Sequence, residues 1–391
     1  MRIHPLLKLG LWAGGGLVFV VVAAFVALLI YDLHTQHAYA AMPNTHNLKE
    51  QINKMGVGYL AKRPKGALVI AIYQNGKRSF HGFGKISDAN TNPPDAQTIF
   101  EIGSVTKIFT AAVLAQMAND QVVKLDDPIR LYLPKEVVSP KKNGREITLE
   151  NLATHTSGLP RLPNNLDATL KDQQNPYANY TMQDLYQSLA TVELKNEPGK
   201  KSVYSNYGYG LLGKILELKT GKSYGTLVQE NVCEPLGLQD TTTRLSAQQN
   251  ERLTPGHNPK GGIVPNWDFD ALAGCGAIRS DAGDLLKLVE ANLMRTNSGI
   301  YKVLNETQKN RFKTFTGGIG LGWQIEEEIE GITLHWQNGG TGGYRSFVGF
   351  DKQHQIGVVI LSNYGDAMVG DSSVDQMGMK LLKIGSKISL E

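Results

Sequence analysis

Residues 331–350 read GITLHWQNGGTGGYRSFVGF, with apolar alternation on both sides of four closely spaced glycines. Alternation with a period of two is the mark of a strand with two distinct faces. A phosphate-cradling loop would need a helix N-terminus after its glycines. A second strand follows instead. The segment therefore predicts strand, glycine-rich crossing and strand, in which something comes too close to the backbone for side chains to fit.

The rest of the chain places this segment. GALVIAIYQNG and KRSFHGFG predict two strands joined at Asn75-Gly76, the dipeptide that suits a tight hairpin turn. FEIGSVTKIFTAAVLAQMAND predicts a helix with Val105, Ile108, Phe109, Ala112, Val113 and Met117 on its apolar face. SNYGYGLLGKILELKTG and DAGDLLKLVEANLM predict further helices in the middle of the chain, and NLKEQINKMGVGYL and residues 373–384 predict one at each end. GLGWQIEE, ITLHW, YRSFVGF and QIGVVILSN predict strands. Strands at both ends and helices between them predict an α/β fold, in which one sheet is assembled from residues 45–120 and 290–391. Residues 121–289 form a mostly helical insert, with a ligand cleft between the two parts.

Residues 10–30, GLWAGGGLVFVVVAAFVALLI, carry no charge. They are long enough to span a bilayer. Arg2 and Lys8 precede them, which orients the N-terminus to the cytoplasm and the remainder outside. AYA at 38–40 resembles a signal-peptidase site but lies well past the apolar run, so a retained membrane anchor over residues 1–40 is expected ahead of a catalytic domain over 41–391; the alternative is a cleaved signal segment, with the rest secreted to the periplasm. The formal net charge of +4 is spread without a long basic run, so nucleic-acid binding has no support. Cys233 and Cys275 match no metal spacing and read as two buried thiols.

Chemistry enters at Ser104-Val105-Thr106-Lys107. Serine and lysine three residues apart at a helix start share one face. The lysine can accept the hydroxyl proton, and the helix N-terminus offers free N–H groups to an oxyanion. A second Ser-x-x-Lys, Ser139 to Lys142, sits in a Pro-Lys turn with no apolar helix behind it and reads as solvated loop. Tyr204 and Asn206 lie two apart on an extended loop, so both can face one site. Tyrosine there can relay a proton and asparagine can bind an amide or hold the lysine. Gln337, Asn338 and Thr341 can line the groove beside the glycines. Gly221 to Gly225 fits Gly-x-Ser-x-Gly but follows a helix rather than a strand, so it reads as a C-cap and loop, not a nucleophile elbow. His155 reads as a structural loop histidine.

Ser-x-x-Lys, then Tyr-x-Asn about a hundred residues on, then the glycine-rich strand, resembles the serine β-lactamase and penicillin-binding protein superfamily. The spacing is similar to the class C β-lactamases, D-alanyl-D-alanine carboxypeptidases and family VIII esterases. The resemblance covers about residues 50–385 and includes LENLATHTSGLPRLP and LAGCGAIRSDAGDLLKL. It implies an antiparallel sheet flanked by helices, no cofactor, and an acyl-enzyme on Ser104, with Lys107 as its proton partner and Tyr204 as general base and acid. Asn206 would bind substrate, and the N–H groups of Ser104 and Gly340 would bind the oxyanion. Gln337 to Tyr344 aligns without gaps on the class C motif Lys-Thr-Gly-Ser-Thr-Gly-Gly-Phe, with Gln337, Asn338, Gly339, Gly340 and Thr341 in the substrate-binding strand. Gln337 departs from the usual Lys or His and removes a charge. His335 shares its face but lies about 7 Å along the strand. Arg345 reads as a solvated arginine. The implied substrates are D-Ala-D-Ala-type peptides, β-lactams or related esters. The alternative is a membrane-tethered penicillin-binding or sensor module that is acylated and barely turns over.

Overall fold

A computed structural model describes residues 47–327, 331–365, 373–388 and 390. The strands in chain order are β1 (Ala67–Gln74), β2 (Lys77–Gly84), β3 (Ile99–Glu101), β4 (Lys141–Lys142), β5 (Arg145–Glu146) and β6 (Arg279–Asp281). They continue with β7 (Phe312–Thr314), β8 (Gly317–Ile319), β9 (Gln324–Glu327), β10 (Thr333–Gly340), β11 (Arg345–Asp351) and β12 (Ile356–Ser362). Eight of them form one antiparallel sheet in the order β2-β1-β12-β11-β10-β9-β8-β7. The hairpin turn between β1 and β2 is at Asn75 and Gly76, both at positive φ, as that dipeptide requires.

The alternation in β1 and β12 is apolar on both faces because both faces are covered. Val69, Ala71, Val359 and Leu361 pack into one core with the helices α1 (Thr106–Asn119) and α2 (Ala282–Leu293). Leu68, Ile70, Val358 and Ile360 pack into a second core with Leu48, Ile52 and Tyr59 of the 48–60 helix and Met377, Leu381 and Leu382 of the 374–385 helix. A central strand that buries every residue reads as a continuous apolar run, which is what ALVIAIYQ is.

The expected membrane segment, residues 10–30, and the 38–40 stretch lie outside the described residues. Among the described residues no helix is long and apolar enough to cross a membrane.

Of two minor sequence readings, the C-cap and loop at Gly221–Gly225 is met, whereas the stretch Ser139–Lys142 is not a solvated loop, since Lys142 lies half-buried in β4 and Ser139 Oγ is buried. Ser223 caps the next short helix after Gly221 ends the 206–220 helix in the left-handed region. Lys142 of the second Ser-x-x-Lys donates from Nζ to the Leu194 carbonyl. Both cysteines are buried free thiols.

One loop contact positions the cleft from fifty residues away. His155, at φ 59°, accepts the Val203 N–H on its carbonyl at 2.8 Å and the Ser205 N–H on Nδ1 at 3.1 Å. Its ring packs against Tyr204 with centroids 4.5 Å apart. The backbone on both sides of Tyr204 is therefore held by a single residue. An Nδ1 that accepts carries no proton, and burial, then the charges of Lys107 and Arg161, push the imidazole down from 6.5 to about 3. The unfolded chain takes up this proton near pH 6.5 and the folded chain does not, so stability falls as pH drops from about 6.5 toward 3. Replacing His155 by Gln should make the slope of unfolding free energy against pH shallower by up to about 1.4 kcal/mol per pH unit between pH 6 and 4. Denaturant titrations at several pH values measure this. An unchanged slope would show that the ring is not held neutral.

Candidate active site

Ser104 lies on a single 3-10 turn, Gly103–Val105, that leads into α1 at Thr106. The expected helix start is thus a tighter turn followed by the helix. This turn is crossed by β10. A Cβ at Gly339 would stand 2.0 Å from the Ile102 carbonyl oxygen and 2.9 Å from the Ser104 nitrogen. A Cβ at Gly103, where φ is 47°, would stand 2.6 Å from the Gly340 nitrogen. Only glycine allows two backbones to meet at these distances. Ser346 on the neighbouring β11 donates from Oγ to the same Ile102 carbonyl at 2.7 Å. The glycines of the opening segment therefore press β10 onto the turn that carries Ser104.

Lys107, one turn along, is wholly buried. Its Nζ lies 3.0 Å from Ser104 Oγ, 2.9 Å from Asn206 Oδ1 and 2.8 Å from the Cys275 carbonyl oxygen. No carboxylate among the described residues pairs with it. A buried ammonium is tolerated only where its N–H groups are met, and here three oxygens meet three N–H groups. A neutral amine fits equally well. The amide and carbonyl oxygens can only accept, so they take its two N–H groups and leave the lone pair facing the serine hydroxyl. In either protonation state the serine has a partner of the right kind.

Each of those oxygens is brought there by separate packing. Thr106 Oγ1 accepts the Ile278 N–H at 3.1 Å and Thr110 Oγ1 donates to the Gly274 carbonyl at 2.7 Å, which fixes the Cys275 backbone against α1. Asn206 is the first residue of the helix Asn206–Thr220, and Ser205 caps that helix by accepting the Gly208 N–H at 2.9 Å. Ser205 Oγ also donates to the Pro160 carbonyl at 2.7 Å. Tyr204, just before the cap, puts its ring centroid 4.9 Å from Lys107 Nζ. Ser104, Lys107, Tyr204 and Asn206 thus converge on one place.

The strand residues divide. Gln337 is buried on the same side, with Nε2 3.4 Å from the Ser104 carbonyl oxygen, a long contact. Asn338 points to the other face of the sheet and donates to Asp375 Oδ2 at 2.6 Å, as a period of two dictates for neighbours on a strand. Thr341 is buried at the turn, where its N–H meets the Tyr344 carbonyl at 3.1 Å. His335 stacks on Phe350 and bonds the Gln308 carbonyl, away from Ser104. Arg345 is no solvated arginine: it donates to the carbonyls of Thr341, Tyr344 and Gly365 and ties the turn together. Among the described residues no group of three His, Cys, Asp or Glu could hold a metal.

Sequence reading did not single out the wall opposite the strand. Tyr177 stacks on Phe269 with centroids 4.9 Å apart, meets Trp267 edge-on, and has its hydroxyl 3.4 Å from Asn206 Nδ2. The Trp267 backbone N–H donates to Glu101 Oε1 at 2.8 Å, and Arg279 donates to the same oxygen at 3.3 Å. Burial raises the Glu101 carboxyl and the Arg279 charge opposes that shift.

The family model described as Beta-lactamase matches residues 57–375. The D-alanyl-D-alanine-carboxypeptidase/endopeptidase AmpH of Escherichia coli K12 is 29% identical over 311 residues, covering 75% of this chain and 78% of that protein. A beta-lactamase of Pseudomonas fluorescens is 27% identical, covering 76% of this chain and 88% of that one. Among solved structures, a beta-lactamase/D-alanine carboxypeptidase from Yersinia pestis superposes with a TM-score of 0.75 at 24% identity, over 88% of this chain and 99% of that one. A class C beta lactamase from Rhodobacter sphaeroides gives 0.72 at 22% identity, over 85% and 98%. These two share the fold. The chain belongs to the beta-lactamase family and is a serine hydrolase.

Proposed function

We propose that this serine hydrolase acts outside the cytoplasmic membrane, through an acyl-enzyme on Ser104, on peptides ending in D-Ala-D-Ala. The observation that carries the reading is the buried Lys107 amine, whose Nζ is shared by Ser104 Oγ, Asn206 Oδ1 and the Cys275 carbonyl oxygen. The carboxypeptidase among its relatives supports the substrate class. Residues 41–391 would form the catalytic domain, with its α/β part at about 45–120 and 290–391 and its helical insert at about 121–289. Residues 1–40 would anchor it in the inner membrane, which rests on the uncharged run 10–30 and the preceding Arg2 and Lys8.

In this mechanism Tyr204 takes the Ser104 proton as Oγ bonds to the scissile carbonyl carbon, with Lys107 holding the serine and the developing charge nearby. The N–H groups of Ser104 and Gly340 donate to the oxyanion, and the crossing of β10 over the turn supports that pairing. The C–N bond breaks and the leaving amine takes the proton from Tyr204. Water then attacks the ester carbonyl carbon and gives its proton to Tyr204, the C–Oγ bond breaks, and Tyr204 returns the proton to Ser104 Oγ. Asn206 would orient the substrate amide as well as the lysine. Gln337 contributes hydrogen bonds and no charge.

Purified enzyme should release D-alanine from a D-Ala-D-Ala pentapeptide over many turnovers, and Ser104→Ala should lower the rate by about 10³-fold or more. Release of one equivalent only would favour the slow-turnover sensor instead, and full activity in Ser104→Ala would remove the reading altogether. The same release by intact cells supplied with the impermeant peptide tests whether the domain faces outward. Gln337→Lys should raise kcat/KM for a chromogenic β-lactam by about tenfold, the worth of one added charge contact at a partly wet site. A decrease would show a groove shaped for a different end group.

A further inference from the structure

The strand beside Ser104 has no cation at 337, so a substrate carboxylate needs another partner. The nearby cations on the fold are mostly spent. Lys107 is buried against three oxygens. Arg279 is held by Glu101, the Trp267 carbonyl and the Thr243 carbonyl. Arg345 serves three backbone carbonyls.

Arg161 differs. Its side chain is exposed, and no hydrogen bond or ion pair to it occurs among the described residues. Its guanidinium carbon stands 5.0 Å from the Tyr204 ring centroid. Its position is locked to the reacting groups through its own backbone, since the Arg161 carbonyl accepts the N–H of Asn206 at 2.9 Å and of Tyr207 at 3.2 Å. Pro160 and Pro163 restrict the loop on either side. The neighbouring Pro160 carbonyl takes the Ser205 hydroxyl. Its charge reaches His155 and Tyr177, which flank the Tyr204–Asn206 segment.

We propose that Arg161 binds the free carboxylate of the substrate's leaving group. The step rests on the acyl-enzyme reading above. A general acid must touch the amine it protonates, so a cation beside Tyr204 lies beside the leaving amino acid. A guanidinium offers two parallel N–H donors to a carboxylate. The carboxylate stays intact throughout: the amine takes its proton from Tyr204 and leaves as a free amino acid. The enzyme thereby prefers chain ends over internal bonds and neutral caps. Arg161 takes over from the opposite wall the electrostatic task that residue 337 no longer performs.

The test compares one D-Ala-D-Ala peptide with a free C-terminus and the same peptide as its C-terminal amide, on wild type, Arg161→Gln and Arg161→Lys. The wild type should prefer the free carboxylate. Arg161→Gln should lower the ratio of the two kcat/KM values by at least about tenfold, mainly through KM, and Arg161→Lys should recover part of it. A wild type that cuts both peptides equally, or a ratio unmoved in Arg161→Gln, overturns the proposal while the hydrolase reading stands. A wild type that cuts neither peptide overturns both.

Discussion

The contact on which the rest of the site depends is between two backbones. β10 crosses the 102–104 turn so closely that side chains at Gly103 or Gly339 would occupy the space of the other chain's peptide atoms. That approach sets the nitrogen of Gly340 beside the turn that presents Ser104, and β11 reinforces it through Ser346. A loop could not hold such a distance. A strand in the middle of an eight-stranded sheet, with helical cores on both faces, can. The large apolar cores are in this sense the foundation for placing two N–H groups.

The second dependence is electrostatic. A lysine with no exposed surface and, among the described residues, no carboxylate partner is costly unless its donors are satisfied. Three parts of the chain, one local and two remote, meet that need: residue 104, residue 206 at a helix N-terminus, and the carbonyl of 275 on a loop pinned by Thr106 and Thr110. Loss of any one leaves a buried donor unmet. Assembly of the helical region and assembly of the Ser104–Lys107 environment are therefore the same event.

Local pattern was enough to read some of this. Period-two alternation located six of the eight strands of the large sheet and missed the three-residue β7 and β8, which are too short to show a period, while Asn75-Gly76 gave the hairpin and helical spacing put Lys107 next to Ser104. The same period also separates Gln337 from Asn338, and the structure sends them to opposite faces. What local pattern lacks is contacts between segments distant in sequence. His155 grips residues 203–205 across fifty positions, and nothing in ATHTSG announces it. Backbone acceptors such as the Cys275 carbonyl leave no trace in residue type at all. Arg345 looked like any surface arginine because its partners are carbonyls. Arg161 is legible only once its loop is seen against Tyr204.

This Ser104 environment should make a covalent acyl-enzyme. Intact-protein mass spectrometry after brief mixing with a penicillin, followed by peptide mapping, tests it most directly. The account predicts a mass increase of one penicillin per chain, located on the peptide bearing Ser104. An unmodified protein under saturating penicillin, or an adduct on any other residue, would contradict it.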